Sequence, residues 1–122
     1  MISDAIANQI LDWMFNGSDP GTYTPYVSVH SGDPGGTGAN EQTGGSAART
    51  NASAAFPAAS SRGCTSNASV QVTCAAGTWT HFGVWSAASG GTFLWGGRLE
   101  SSITTSDGNT VTFASGDLKF AL

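Results

Sequence analysis

"TWTHFGVWSAASGGTFLWGGRL", from Thr78 to Leu99, is the stretch that decides the fold class. Its first half alternates, with Trp79, His81, Gly83 and Trp85 set against Thr80, Phe82 and Val84, which is the period of a β-strand. "AASGG" then separates "FGVWS" from "TFLWGG" and reads as the loop of a hairpin. Downstream, "SDGN" between "SSITT" and "TVTFA" is expected to close a second hairpin, with Asp107-Gly108 supplying the positive-φ positions. Upstream, "YVSVHS" sets Tyr26, Ser28 and His30 against Val27, Val29 and Ser31, as a half-buried strand would. Further short β-segments fall around "AAFPA", "SVQVTC", "SITT" and "DLKFAL". Seven or eight short strands at regular spacing predict a mainly β fold, an antiparallel β-sandwich or jelly-roll-like barrel with one N-terminal α-helix.

That helix is expected over residues 1–16. Ile2, Ile6, Ile10 and Trp13 fall on one side, flanked by Ala5 and Met14, while Asp4, Asn8 and Asp12 fall on another. Ser3 suits the N-cap, and Gly17 stands where the left-handed C′ residue belongs. Such a stripe either closes the core of its own domain or is offered to a neighbouring subunit. At 122 residues the chain holds a single domain, with the sandwich spanning residues 26–122 and a long loop at 32–53.

Charged residues make up only 10% of the chain, so Ser, Thr, Asn and Gly supply most of its polarity. Few charges keep copies apart, which favours self-association. The net charge is −4, and the only bases are Arg49, Arg62, Arg98 and Lys119. No basic stripe exists to neutralise phosphates, so nucleic acid is not an expected partner. Neither is a membrane, since the apolar runs are far short of the ~20 residues a span requires. The N-terminus, with Asp4 and no continuous apolar run, does not read as a signal peptide, and synthesis in the cytoplasm is expected. Cys64 and Cys74 read as two buried or half-buried thiols on neighbouring strands, or as a disulfide closing a short loop.

"VHSGDPGGTGANEQTGGSAAR", Val29 to Arg49, carries six glycines. It lacks the Gly-Lys-Ser/Thr ending of a P-loop, and a β-like segment follows it where a dinucleotide fingerprint needs a helix. Asp33, Asn40 and Glu41 are oxygen donors, and therefore weak metal candidates, without the alternation of a calcium loop. No cofactor is expected. Loops of this length inside a compact domain are seldom idle. Contact with another subunit is the expected role, through Asp33, Pro34, Asn40, Glu41 and Arg49, with Ile6, Ile10 and Trp13 of the helix.

The same pieces carry a resemblance. "YVSVHSGDPG", then "TGANE", "GGSAAR", "THFGVWSAASGGTFLWGG" and a terminal "SGDL" occur here in that order. The chain thereby resembles a family of small structural proteins of tailed bacteriophages. Those chains run from an N-terminal helix through "lhtgdPG…ganE", "g-g-s-y-aR" and a "t-h-vgiwda-sGG-flw-g" hairpin to a "sGDl" strand. Ala47-Ala48 departs from the aromatic usual before the alanine, and the Cys64–Cys74 segment has no counterpart in that pattern. The resemblance implies a part of a virion, with capsid or tail subunits as partners, and not a catalyst.

No catalytic residue emerges from the chain itself. His30 and His81 are the only histidines, and no serine lies in a G-x-S-x-G elbow. Asp107 and Asp117 sit in turn contexts where carboxylates cap amides. Trp79, Trp85 and Trp95 cluster with Phe93 on the two strands of the expected hairpin and are candidate glycan contacts, or else core and interface. The expectation is a non-enzymatic virion protein, homo-oligomeric as a trimer or ring. It leans toward a head decoration protein, with a tail or tail-fibre-associated protein, including a receptor-binding module, as the alternative.

Overall fold

A computed structural model of the chain describes residues 1–122. Both helix boundaries follow from local chemistry. The Ser3 side chain accepts the Ile6 amide at 3.1 Å, α1 spans Asp4–Asn16, and Gly17 closes it at φ 73° with its N–H donating to the Asp12 carbonyl. Residues 1–3 lie outside the helix and pair with a strand instead. Ser3 N–H donates to Leu94 O (3.0 Å), Gly96 N–H donates to Met1 O (2.9 Å), and Ile2 bridges Trp95. Ile2 therefore belongs to a sheet and not to the helical stripe expected for it.

Eight strands follow: β1 (Tyr26–His30), β2 (Thr50–Asn51), β3 (Gly63–Thr65), β4 (Val70–Thr73), β5 (Gly77–Trp85), β6 (Phe93–Thr105), β7 (Thr110–Phe113) and β8 (Lys119–Ala121). The main sheet has the order β2-β1-β5-β6, and every pairing in it is antiparallel. Two ladders, β4–β7 and β3–β8, supply the opposing layer of the sandwich. Val27, Val29, Phe82 and Val84 of the main sheet meet Val70, Val72, Val111, Phe113 and Leu118, all buried in one core. Phe82 stands edge-on to both Phe113 and Phe120, each with ring centroids 6.0 Å away.

The β5–β6 hairpin forms as the sequence predicts, closed by Ser86 N–H to Thr92 O at 3.0 Å with Gly90 and Gly91 left-handed. The second hairpin does not. β7 pairs with β4 and not with β6, so Ser106–Asn109 is a crossover from one layer to the other. Only Gly108 takes a positive φ there (87°), and its N–H donates to Cys74 O in β4's direction at 2.9 Å. "AAFPA" is likewise no strand, since a 3-10 turn occupies Ser53–Ala55.

A register shift between Trp79 and His81 interrupts the β5–β6 ladder. Across it β5 advances two residues while β6 advances five, and this irregularity breaks the alternation, so that core-facing residues on β5 fall three apart. Trp79, expected beside His81 and Trp85, thus joins Phe82 and Val84 in the core at 5% exposure. Its indole N–H donates to Thr105 Oγ1 (2.8 Å), which in turn donates to Ala75 O (2.8 Å). Both cysteines are free, and the strands that carry them are not neighbours. Cys64 lies on β3, which pairs with β8, and buried Cys74 follows β4, which pairs with β7.

Candidate functional site

The glycine-rich stretch does not wander over the surface. The Asp33 carboxylate accepts the Gly35 amide (2.9 Å), and Pro34 O accepts both Gly38 N–H (2.9 Å) and Ala39 N–H (3.0 Å). The chain then returns beside the end of β1, through Ser31 N–H to Asn40 O, a His30–Glu41 bridge and Gln42 N–H to Val29 O. Residues 34–39 thereby cover the face of the main sheet that points away from the core. Pro34 is fully buried. Gly38 lies against rings, since a Cβ there would stand 2.6 Å from Trp85 and 2.9 Å from Phe93. β1 is consequently buried on both faces, where alternation predicted one.

Beneath this cover runs a short polar relay. Trp85 Nε1–H donates to Ser28 Oγ at 3.1 Å, and Ser28 Oγ lies 2.8 Å from His30 Nε2. His30 Nδ1 faces the Ala39 carbonyl at 2.7 Å, and a carbonyl only accepts. Nδ1 must therefore carry the proton, Nε2 accepts, and the serine hydroxyl donates to it. Burial pushes the His30 imidazole below its ordinary pKa, with the Ala39 carbonyl opposing that effect. A serine beside a neutral histidine has the parts of a nucleophile and its base. Here both are 0% exposed and their bonds fasten the loop to β1.

Outside the relay, Arg49 ties three separated segments together. Its Nε and Nη2 donate to the two Glu41 oxygens at 2.7 and 2.9 Å, while Nη1 donates to Ala87 O and Gly90 O, both at 2.8 Å. The guanidinium also stacks on Trp85, 3.9 Å from the ring centroid. Glu41, Arg49, Trp85 and the "SGG" tip are the residues quoted for the phage-protein resemblance. They converge on this one clasp, so the motif specifies how the loop and hairpin lock.

These contacts reassign several expected site residues. Glu41 has both oxygens on Arg49, Asn40 Nδ2 donates to the backbone O of Asp33 (2.9 Å), and Asp33 caps its own turn, so the three candidate metal donors serve the backbone and Arg49. No cluster of three or more His, Cys, Asp or Glu side chains is present. Pro34 is inaccessible to a partner, and Glu41 and Arg49 are committed within the chain. Among the candidate glycan contacts, Trp79 is buried core, and the Trp85 ring is covered by Arg49 and stands edge-on to Phe93 at 5.1 Å. Trp95 is half-buried and edge-on to Phe120 at 5.5 Å. Asp107 does cap amide and hydroxyl groups, but those of distant Ser46 (2.7 and 3.0 Å).

The helix departs furthest from the core-closing role. Ile6 and Ile10 are only half-buried, no residue of α1 is buried, and every residue from Leu11 to Thr22 is exposed. Leu11 (54%), Trp13 (56%), Met14 (59%) and Phe15 (79%) project as an apolar arm. Leu11, Met14 and Phe15 share a face at i, i+3, i+4 spacing, distinct from the Ile6–Ile10–Trp13 stripe. The signal was in the sequence: of Ile10 to Phe15 only Asp12 is polar, so that end of the helix is apolar nearly all round.

No helix is long and apolar enough to cross a membrane. Residues 1–121 match the family model described as podophage GP4 fiber I protein gp80. None of the curated proteins matches the chain.

Proposed function

The chain belongs to the podophage GP4 fiber I protein gp80 family, and from that footing we propose that it is a non-enzymatic tail-fibre component that associates with itself and with neighbouring tail subunits. A phage structural protein of tail-fibre type is what the family establishes. Small size and low charge lean toward a shell decoration protein, but they suit a fibre subunit equally, and the family match favours the fibre. The observation that carries the reading is this match over nearly the whole chain. Self-association draws its support from the exposed arm, because monomers seldom display so many large apolar side chains together.

The buried polar side chains are spent on fold. Among buried side-chain nitrogens and oxygens none lacks a partner, and the Ser28–His30 pair lies sealed beneath the loop. Immunogold labelling of purified virions tests the placement. Gold confined to the tail, with few copies per particle by quantitative mass spectrometry, is expected. Labelling over the whole head, with copy numbers on the scale of the shell, would return the protein to decoration.

A further inference from the structure

We propose that the Leu11–Phe15 arm of one copy seats in an apolar groove beside Trp95 of the next, joining copies head to tail. This deepens the self-association reading above and rests on it. Two adjoining cavities, of about 250 and 330 Å³, share Cys64, Trp95 and Phe120 and so form one groove. Pro25, Phe56, Leu94 and Leu122 extend its walls. A cavity of about 150 Å³ already admits benzene, so each lobe can take an aromatic or long aliphatic side chain. Tyr23, Arg62 and the Trp95 indole N–H bring the polar side-chain groups besides the Cys64 thiol. A sugar would find few partners for its hydroxyls here, whereas leucine, methionine and phenylalanine need none.

Three observations favour a second copy as the occupant. The arm does not fill its own chain's groove, because all of Leu11 to Thr22 is exposed. The arm carries one charged side chain, Asp12, while Arg62 is the one charged side chain lining the groove, so the two are opposite in sign. The area fits a small contact. Taking about 150–250 Å² per large side chain, the exposed parts of Leu11, Met14 and Phe15, which share one face, offer on the order of 400 Å². With a comparable area covered on the other side the contact reaches about 800 Å², the low end of interface sizes. Arm and groove are different surfaces, so the contact is heterologous: a ring if its rotation closes, a filament if it does not. In a closed ring each copy makes two such contacts.

The native Cys64 thiol permits a direct test. Phe15 is exposed, so Phe15→Cys leaves the fold undisturbed, and the full chain would be oxidised mildly and run on non-reducing gels. Expected are dimers and larger species that vanish with reductant and are absent from Phe15→Cys/Cys64→Ser. Light scattering on the unmodified chain is measured alongside. If that chain is multimeric, yet Leu11→Cys, Met14→Cys and Phe15→Cys all fail to link to Cys64, the groove is not the arm's seat and only this inference falls. Dimers persisting without Cys64 would mean arms pairing with arms, which also overturns it. A chain that stays monomeric removes both the groove contact and the self-association beneath it.

Discussion

Replacing Arg49 by alanine measures what holds the glycine loop to the hairpin. The side chains of Arg49 and Glu41 are only 10% and 21% exposed, so the pair is screened far less than a surface ion pair. Removing one partner of a buried pair costs about 3–5 kcal/mol, chiefly because the other charge is left stranded. Glu41 retains some contact with water, which places Arg49→Ala near the lower end, at about 3 kcal/mol including about 0.5–1 kcal/mol from the lost stacking on Trp85. For a domain of this size that lowers Tm by about 10–15 °C. Urea unfolding followed by circular dichroism reads the change directly, as a fall in midpoint at constant slope. A double variant controls for the stranded charge. Glu41→Leu combined with Arg49→Met removes both charges and keeps apolar bulk, and should recover at least half of the loss. A cost below about 1 kcal/mol for Arg49→Ala, or a double variant no more stable than the single one, would mean that no charge is stranded when Arg49 is lost.

Other outcomes follow from named contacts. In the window between the depressed folded pKa of His30 and the ordinary value near 6.5, the unfolded chain is protonated and the folded one is not. Stability should therefore fall as pH drops below about 6.5, by at most about 1.4 kcal/mol per unit from this group. His30→Asn should flatten that slope whatever it does to absolute stability; an unchanged slope would acquit the imidazole. Gly83→Ala sets a methyl 2.4 Å from His30 Nε2 and 3.0 Å from Phe93, and should cost about 1–3 kcal/mol in the same urea assay. Burial raises the Cys74 pKa, so native protein should show one thiol, Cys64, to a thiol reagent, and two only after denaturation. Two fast thiols in native protein would contradict the packing around Cys74.

What the sequence disclosed was what local chemistry determines. Ser3, Gly17 and the "AASGG" loop each act within a few residues, and each does in the structure what its type predicts. The failures share a cause, since each depends on a partner distant in the chain. "SDGN" announces a turn but not the strand that follows it to β4, and the register shift before His81 is invisible to a period of two. The glycine loop has no period at all, so nothing in it shows that it will lie on Trp85 and Phe93. The clasp was half visible. Glu41 and Arg49 stood out as residues, but their attachment to one another required the fold.

The sheet margins have a consequence for growth of an assembly. The main sheet ends in a two-residue strand on one side, while residues 1–3 lie along β6 on the other. Past those residues β6 continues from Arg98 to Thr105, polar except for Leu99 and Ile103, which pack on the core, and interrupted by the register shift. Neither margin offers a long flat template on which another chain could stack strand upon strand. Two copies of the chain that meet thus have the amyloid-like route of polymerisation blunted, and any contact between them has to use a surface with geometric specificity.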